Sequence, residues 1–301
     1  MTINGKKVDL GGNGSAIDAR KDVDWRIAKL RKVKVRNPGI IWHYTSIDVL
    51  EHFLKGEIAL SHYKFMNDDD ELEYGYKILT KIDGEHNDKQ LMEALTYKHY
   101  GAQLQGDAFL FCLSRDGDSL YQWRSYTPKG GVAVAFDKVD LFSIVVEEVV
   151  ADYEILLSVD RLKLIECRYD DKIAEKFLRQ IKNRIMNSKK SGLCNDCKNR
   201  GLYVSAVIRT LLTHKNPSFF NEQEERLLLL GESNGLRNKV EFIAGKPRII
   251  LRNPQIANVI KAVRLSPHGE VKRNRLLVEM MRDKYGLKFD IDQSQSSYNG
   301  M

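Results

Sequence analysis

One stretch, residues 219–230 with the sequence Phe-Phe-Asn-Glu-Gln-Glu-Glu-Arg-Leu-Leu-Leu-Leu, constrains the fold more than any other part of this chain. Its four consecutive leucines predict a buried strand, yet three acids and an arginine stand just before them. Because side chains alternate along a strand, Glu222, Glu224 and Arg226 are expected on one face. Buried carboxylates lose solvation unless they are paired or put to use. The stretch therefore indicates either an internal Glu–Arg ion pair or a catalytic carboxylate on a sheet.

The composition is that of a globular protein with a basic surface. A chain of 301 residues, 43% hydrophobic and 30% charged, suits one large domain or two modest ones. It has no apolar run near the roughly 20 residues of a membrane span, and its start lacks the apolar core of a secretory signal, so we predict a cytoplasmic location. The net charge of +7 and the pI of about 9.0 favour phosphate-bearing partners such as nucleic acid.

Four cysteines are too few for a disulfide framework in a chain of this length. Cys194 and Cys197 have the spacing of half a zinc site, and Cys167 with His214 would complete a set of four ligands. A second closely spaced pair is missing, so two ordinary thiols are favoured and no metal is assigned.

Periodicity and turn signals predict an α+β chain without internal repeats. Residues 1–36 are expected to form an N-terminal arm and a short helix, and residues 37–298 a single α+β domain. In the final helix, Leu276, Leu277, Met280 and Met281 are expected inside. Strands are predicted over residues 40–45, 58–61, 108–114, 132–136, 145–150, 162–169, 242–251, 259–266 and 288–291, and helices over 22–36, 85–105, 120–124, 170–188, 202–213 and 271–286. A helix capped by Ser46 or Asp48 is expected to run to about Leu54, and another opens at the acidic turn of residues 65–72 and continues past Tyr76.

Six short motifs follow one another along the chain. They are Trp-His-Tyr-Thr-Ser (42–46), Gly-x-Ile-x-Leu-Ser (56–61), Phe-Met-Asn-Asp-x-x-Glu (65–71), Phe-Cys-Leu-Ser (111–114), Tyr-x-Trp-x-x-Tyr (121–126) and Phe-x-x-Glu-x-Glu-x-Arg-Leu (219–227). Their order and spacing resemble the bacterial domain-of-unknown-function family 2971, over roughly residues 40–298. The chain departs from the family at Asp68-Asp69, where the family usually reads Asp-Pro, and at Glu225, where it usually has an aromatic residue.

The same order also looks like the mono-ADP-ribosyltransferase superfamily, which implies a split, mainly antiparallel β-sheet core with flanking helices. The resemblance implies NAD as substrate, with His43 binding a ribose hydroxyl, Glu224 as the catalytic carboxylate and Glu222 steering the acceptor. A late glutamate in this superfamily stabilises an oxocarbenium-like transition state, which is electrostatic catalysis. The remaining cofactor-binding residues that the resemblance implies are Tyr44, Thr45, Asn67, Ser114, Tyr121, Trp123 and Arg226.

The leading hypothesis is an NAD-dependent ADP-ribosyltransferase that acts as a toxin-like effector, possibly in antiviral defence, on a nucleic-acid or protein acceptor. An antitoxin or a defence-system partner would be compatible with it, and no membrane is expected. One alternative is a non-catalytic nucleic-acid-binding or interaction module, whose binding would depend on salt. Another is a nuclease, in which residues 68–71 with Glu222 and Glu224 would hold Mg²⁺. A glycoside hydrolase is less favoured, because its two carboxylates normally lie on different elements.

Overall fold

The structure, a computed structural model, describes residues 2–3, 6–7, 16–66, 74, 106–173, 175–176, 179–180, 183, 212–232 and 236–296. The strands are β1 (Thr2–Ile3), β2 (Lys6–Lys7), β3 (Ile40–Thr45), β4 (Glu57–His62), β5 (Gly106–Ser114), β6 (Val132–Asp137), β7 (Val159–Glu166), β8 (Glu224–Glu232), β9 (Val240–Ile243), β10 (Lys246–Arg252), β11 (Ile260–Leu265) and β12 (Asp290–Gln293). The helices are α1 (Ala16–Arg31), α2 (Ile47–Leu54), α3 (Leu120–Tyr126), α4 (Lys138–Ala151), α5 (Tyr153–Ser158), α6 (Gln255–Asn258) and α7 (Val271–Lys284), with 3₁₀ helices at Tyr63–Phe65 and Pro217–Glu222.

Strands β3 to β12 form one sheet of 10 strands, and β1 pairs only with β2. Every pairing in the large sheet is antiparallel except β11 with β12, which is parallel. The prediction of an α+β fold with a mainly antiparallel sheet and flanking helices is therefore confirmed.

Strand β5 is where two groups of strands meet. One edge of β5 pairs with β8 over its whole length. Its other edge pairs with β3 at one position, Trp42 with Ser114, and with β4 through Ser61 and His62. Residues 111–113 of β5 pair with neither β3 nor β4, so a gap separates the group β12-β11-β6-β3 from the group that continues through β4 to β10 and β9.

The two faces of β5 and β8 carry different clusters, because opposite residues of a ladder share a face. The face that packs against α2 and α4 is called the core face. The opposite face is called the cavity face, and α3 packs against it further along the sheet. The core face carries Phe109, Phe111, Leu113, Glu225, Leu227 and Leu229, and the cavity face carries Ala108, Leu110, Cys112, Ser114, Glu224, Arg226, Leu228 and Leu230.

Helix α1 packs on the same body as the sheet. Val23 and Leu30 are buried in the main apolar cluster. Arg26 donates from Nη1 to the carbonyl of Leu157 in α5 at 3.0 Å, and Arg31 pairs with Glu147 in α4 at 2.8 Å. None of the described helices is long and apolar enough to cross a membrane.

The strand predicted over residues 145–150 is wrong, since these residues belong to helix α4. Asp137 caps the helix by accepting the N–H groups of Val139 and Asp140 at 3.0 Å. The β-branched valines suggested a strand, but the buried positions follow the helical spacing and bury one stripe. These positions are Leu141, Phe142, Val145, Val146 and Val149.

Two further predictions need correction. Residues 242–251 form a hairpin and not one strand, because Ala244 and Gly245 both have positive φ, as a tight two-residue turn requires. Helix α7 buries Val278 and leaves three of its predicted interior residues outward, while Met281 packs on the core as expected. The outward residues are Leu276, Leu277 and Met280.

Candidate functional site

The acidic stretch changes conformation between its first two acids. The 3₁₀ helix Pro217–Glu222 ends at Gln223, whose φ of 44° and ψ of 46° are left-handed, and β8 begins at Glu224. A left-handed residue does not continue a strand, so alternation starts afresh after it. The prediction of one shared strand face is therefore correct for Glu224 and Arg226 and wrong for Glu222.

Glu224 and Arg226 on the cavity face belong to a cluster of four charged residues, which we call the ion cluster: Lys215, Glu222, Glu224 and Arg226. Lys215 Nζ lies 2.5 Å from Glu222 Oε2 and 3.1 Å from Glu224 Oε2. Arg226 donates from Nε to Glu224 Oε1 and from Nη2 to Oε2 at 2.8 and 2.9 Å, and from Nη1 to the Leu212 carbonyl at 2.9 Å. All four side chains are at most 4% exposed. Two anions face two cations, so the cluster is formally neutral.

The cations determine the protonation state of Glu224. Burial raises the pKa of this carboxyl, but the opposing charges of Arg226 and Lys215 outweigh burial and lower the pKa to about 2. Glu224 is therefore ionised throughout the physiological range. It suits electrostatic stabilisation of a positive charge and does not suit proton donation near neutral pH.

Next to the ion cluster lies a cavity of about 40 Å³, which we call the junction cavity because it sits where β3 meets β5. A water needs about 10–15 Å³ of such space, so the cavity holds a few waters. Its rim carries Tyr126, which is 38% exposed. The lining residues are Trp42, His43, Tyr44, Cys112, Leu113, Ser114, Gln122, Tyr126, Glu222 and Glu224.

His43 borders this cavity in a defined tautomer. Its Nδ1 lies 2.8 Å from the carbonyl oxygen of Cys112, and a carbonyl only accepts, so Nδ1 carries the proton and Nε2 the lone pair. The ring stacks on Phe111 at 4.4 Å and meets the edge of Phe53 at 5.4 Å. Burial, helped by the charge of Arg248, lowers the pKa of His43 to about 4. His43 is therefore neutral near pH 7.

His43 reaches the cavity through the gap in the sheet. Alternation along β3 directs Trp42 and Tyr44 to the cavity face and His43 toward the core face. Residues 111–113 of β5 have no partner in β3 or β4, and the imidazole bonds the backbone there. His43 is half-buried, and its Nε2 makes no hydrogen bond within the described residues.

Several predicted binding residues are tied into the scaffold. Ser114 Oγ donates to the Glu222 carbonyl at 2.8 Å, and the Tyr44 hydroxyl donates to the Asp116 carbonyl at 2.8 Å. Trp123 is fully buried, with its ring 4.7 Å from that of Tyr44. Trp123 is therefore a core residue and offers no stacking surface, whereas Ser114 and Tyr44 border the cavity.

None of the other predicted site residues that the structure describes lines the junction cavity. Thr45 is buried and Tyr121 is half-buried. Arg226 is buried and bonds Glu224 and the carbonyl of Leu212. Asn67 and the acidic run at residues 68–71 lie outside the described residues.

Sequence reasoning missed the roles of Lys215, Gln122 and Tyr126. Gln122 donates from Nε2 to the Glu222 carbonyl at 3.1 Å, and burial, followed by the charge of Glu222, raises the pKa of the Tyr126 hydroxyl. A charge argument points to Lys215, because two buried acids need two cations and the stretch itself supplies only Arg226 for them.

No group of three or more metal-ligating side chains occurs among the described residues. Neither Cys112 nor Cys167 forms a disulfide bond within the described residues. Cys194 and Cys197 fall outside the described ranges, and the expected helix at residues 202–213 does so almost entirely.

Comparison with known proteins reaches only part of the chain. No curated protein and no solved structure matches it. The ion cluster lies inside the matched part of the chain, and His43 lies outside it. Residues 122–227, from helix α3 to the start of β8, match the model of the family described as protein of unknown function DUF2971, which is consistent with that resemblance over this segment.

Proposed function

We propose that this protein is an NAD-dependent ADP-ribosyltransferase whose reaction takes place at the junction cavity. The observation that carries the proposal is that a neutral histidine, His43, and two paired carboxylates, Glu222 and Glu224, border one cavity. The gap between the two groups of strands also supports the predicted split sheet. Strand β3 pairs with β5 at one position, Trp42 with Ser114.

The protonation states suit this reaction. Nε2 of His43 is an acceptor for a ribose hydroxyl, because Nδ1 holds the proton. Glu224, with its pKa of about 2, supplies a permanent negative charge. The bond between C1′ and the nicotinamide nitrogen breaks, nicotinamide leaves as a neutral base with the electron pair, and an oxocarbenium-like ribose remains. The acceptor nucleophile then bonds C1′ and releases its proton to solvent. A fixed anion beside C1′ lowers the barrier by electrostatic stabilisation.

The state of Glu224 limits two alternatives. In a glycoside hydrolase the general acid needs a raised pKa, and Glu224 does not suit that role because its pKa is lowered. A Mg²⁺-dependent nuclease needs carboxylate oxygens free for the metal, whereas Lys215 and Arg226 hold those of Glu224. The non-catalytic module stays in competition, because an ion cluster alone would account for the buried acids.

The cavity must open to admit NAD, since ligand pockets measure about 300–1,000 Å³. Tyr126 is the exposed part of the rim, and its hydroxyl makes no hydrogen bond within the described residues. We therefore expect Tyr126 to move when ligand enters.

Nicotinamide release from NAD, measured by mass spectrometry, tests the proposal. Glu224→Gln keeps the size of the side chain and removes its charge, and we expect about a 100- to 1,000-fold loss of rate. His43→Asn keeps a donor for the Cys112 carbonyl and removes the Nε2 acceptor, so we expect a smaller loss. Glu147→Gln, on the exposed side of α4, is the control and should retain the wild-type rate.

Circular dichroism and thermal unfolding of each variant establish that it is folded. Equal nicotinamide release from wild type and a folded Glu224→Gln variant would contradict the proposal, as would a wild-type protein that neither binds nor cleaves NAD.

A further inference from the structure

Arg248, in strand β10, is half-buried, and the Nε of its guanidinium is buried without a hydrogen bond. No ion pair joins Arg248 to any acid in the described part of the chain. A donor nitrogen removed from water without an acceptor costs free energy, so the buried Nε requires an explanation.

The acid across the strand pair is committed elsewhere. In the β9–β10 register Arg248 lies opposite Glu241. Arg252 holds both oxygens of Glu241, with Nη1 2.7 Å from Oε1 and Nη2 2.8 Å from Oε2. Such a bidentate pair is among the stronger charged hydrogen bonds. Glu241 therefore does not neutralise Arg248.

Arg248 projects from the cavity face. The register pairs Arg248 with Ser61, and Ser61 with Leu110, which belongs to that face. Two strand spacings separate β10 from β5, so the two backbones are about 10 Å apart. The guanidinium is also near His43. Its charge lowers the pKa of the imidazole, although burial of the ring lowers that pKa more.

We propose that Arg248 binds the phosphate groups of a nucleotide ligand. The ligand would lie across the gap between β3 and β4, with its phosphates at Arg248 and its reacting ribose at Glu222 and Glu224. A diphosphate would supply the counter-charge that Arg248 lacks. The inference rests on the proposed function for the chemistry at the acidic end, and its test measures binding without turnover.

Calorimetric titration with ADP-ribose and with adenosine, which lacks phosphates, tests this subsite. We expect Arg248→Met to weaken ADP-ribose binding about 10- to 100-fold, the usual value of a charged hydrogen bond, and to leave adenosine binding unchanged. Arg252→Met is the matched control on the same strand and face, because Arg252 already pairs with Glu241 and Glu57. It should bind ADP-ribose like wild type.

Thermal unfolding separates binding from a structural role. Arg248→Met removes an uncompensated cation, so its Tm should equal or exceed that of wild type. Equal ADP-ribose affinity in wild type and Arg248→Met, or no ADP-ribose binding by wild type, would overturn the subsite. Arg248-dependent binding without nicotinamide release would leave the subsite standing and overturn the proposed function. Nicotinamide release by wild type, together with unchanged ADP-ribose affinity in Arg248→Met, would overturn the subsite and leave the proposed function standing.

Discussion

Strand β8 carries buried carboxylates on both faces, and the two faces use them differently. On the core face, Glu225 pairs with Lys138 at 2.7 Å, and both side chains are at most 5% exposed. On the cavity face, Glu224 pairs with Arg226 and Lys215 beside an opening. Glu224 and Glu225 are both buried and both ion-paired, so neither property distinguishes a functional site from a structural ion pair. The two acids differ in that Glu224 borders a cavity.

Glu225 and Lys138 form a closed pair. Lys138 also donates to the Asn37 carbonyl at 3.0 Å, which ties the start of α4 to the turn before β3. The ion cluster instead joins two carboxylates through one lysine, and Glu222 and Glu224 both border the cavity. A carboxylate beside a cavity can meet a ligand, whereas one enclosed by the core acts on the fold alone.

The largest expected effect comes from breaking the closed pair. Glu225→Gln leaves Lys138 buried without a counter-charge, so we expect the free energy of unfolding in urea to fall by about 3–5 kcal/mol. Replacing both partners, as Lys138→Met with Glu225→Leu, should recover most of that loss, because no charge is left buried. A Glu225→Gln cost no greater than that of the surface change Glu147→Gln would show that the pair is not a structural unit.

An intermediate effect concerns His43, which belongs to the core face and still borders the cavity. Its folded pKa of about 4 lies below the unfolded value of about 6.5. The stability it contributes is therefore present above pH 6.5 and is lost as pH falls toward 4. We expect wild type to lose about 2 kcal/mol more than His43→Asn between pH 7 and pH 5. Urea unfolding at both pH values measures this difference.

The control for that experiment is Ser143→Ala, a change at an exposed residue of α4 that does not titrate, which should lose the same stability as wild type between the two pH values. Parallel losses for wild type and His43→Asn would mean that the pKa of His43 is the same in the folded and the unfolded protein. The lowered pKa that keeps His43 neutral below pH 6.5 would then be wrong.

The smallest expected effect lies at the bend between the two acids. Gln223 is left-handed, with φ 44°, and glycine adopts that conformation without strain. Gln223→Gly should therefore raise the free energy of unfolding by up to about 1 kcal/mol and leave nicotinamide release unchanged. Gln223→Val, which resists positive φ, should destabilise instead. A loss of stability in Gln223→Gly would show that the Gln223 side chain itself holds the bend.

Local patterns predicted elements whose residues carry the signal themselves. The strand at residues 108–114 and the buried leucines of β8 follow from apolar runs whose length is typical of buried strands. The valines at residues 145–150 wrongly indicate a strand, because β-branched residues favour sheets. The helical spacing of the apolar residues is the correct signal here. Ala244 misled because its turn lacks the usual Asn-Gly signal.

The candidate site was predicted only in part. Glu224, His43 and Ser114 do border one cavity, as the motif order implied. Gln223 broke the expected alternation, because positive φ in a non-glycine residue has no reliable sequence signal. The cation that joins Glu222 to Glu224 is Lys215, which lies outside the stretch that was singled out.

The sequence by itself determined that three acids and an arginine enter a buried strand, and therefore that each charge needs a partner, since an unpaired buried charge is too costly. Only the tertiary structure decided which partner each acid has and which of them meets a cavity. Lys138 and Lys215 come from distant or separate segments, and the gap at residues 111–113 arises from how β3 and β4 diverge. Long-range pairing of this kind depends on the packing of whole strands, which no local pattern encodes.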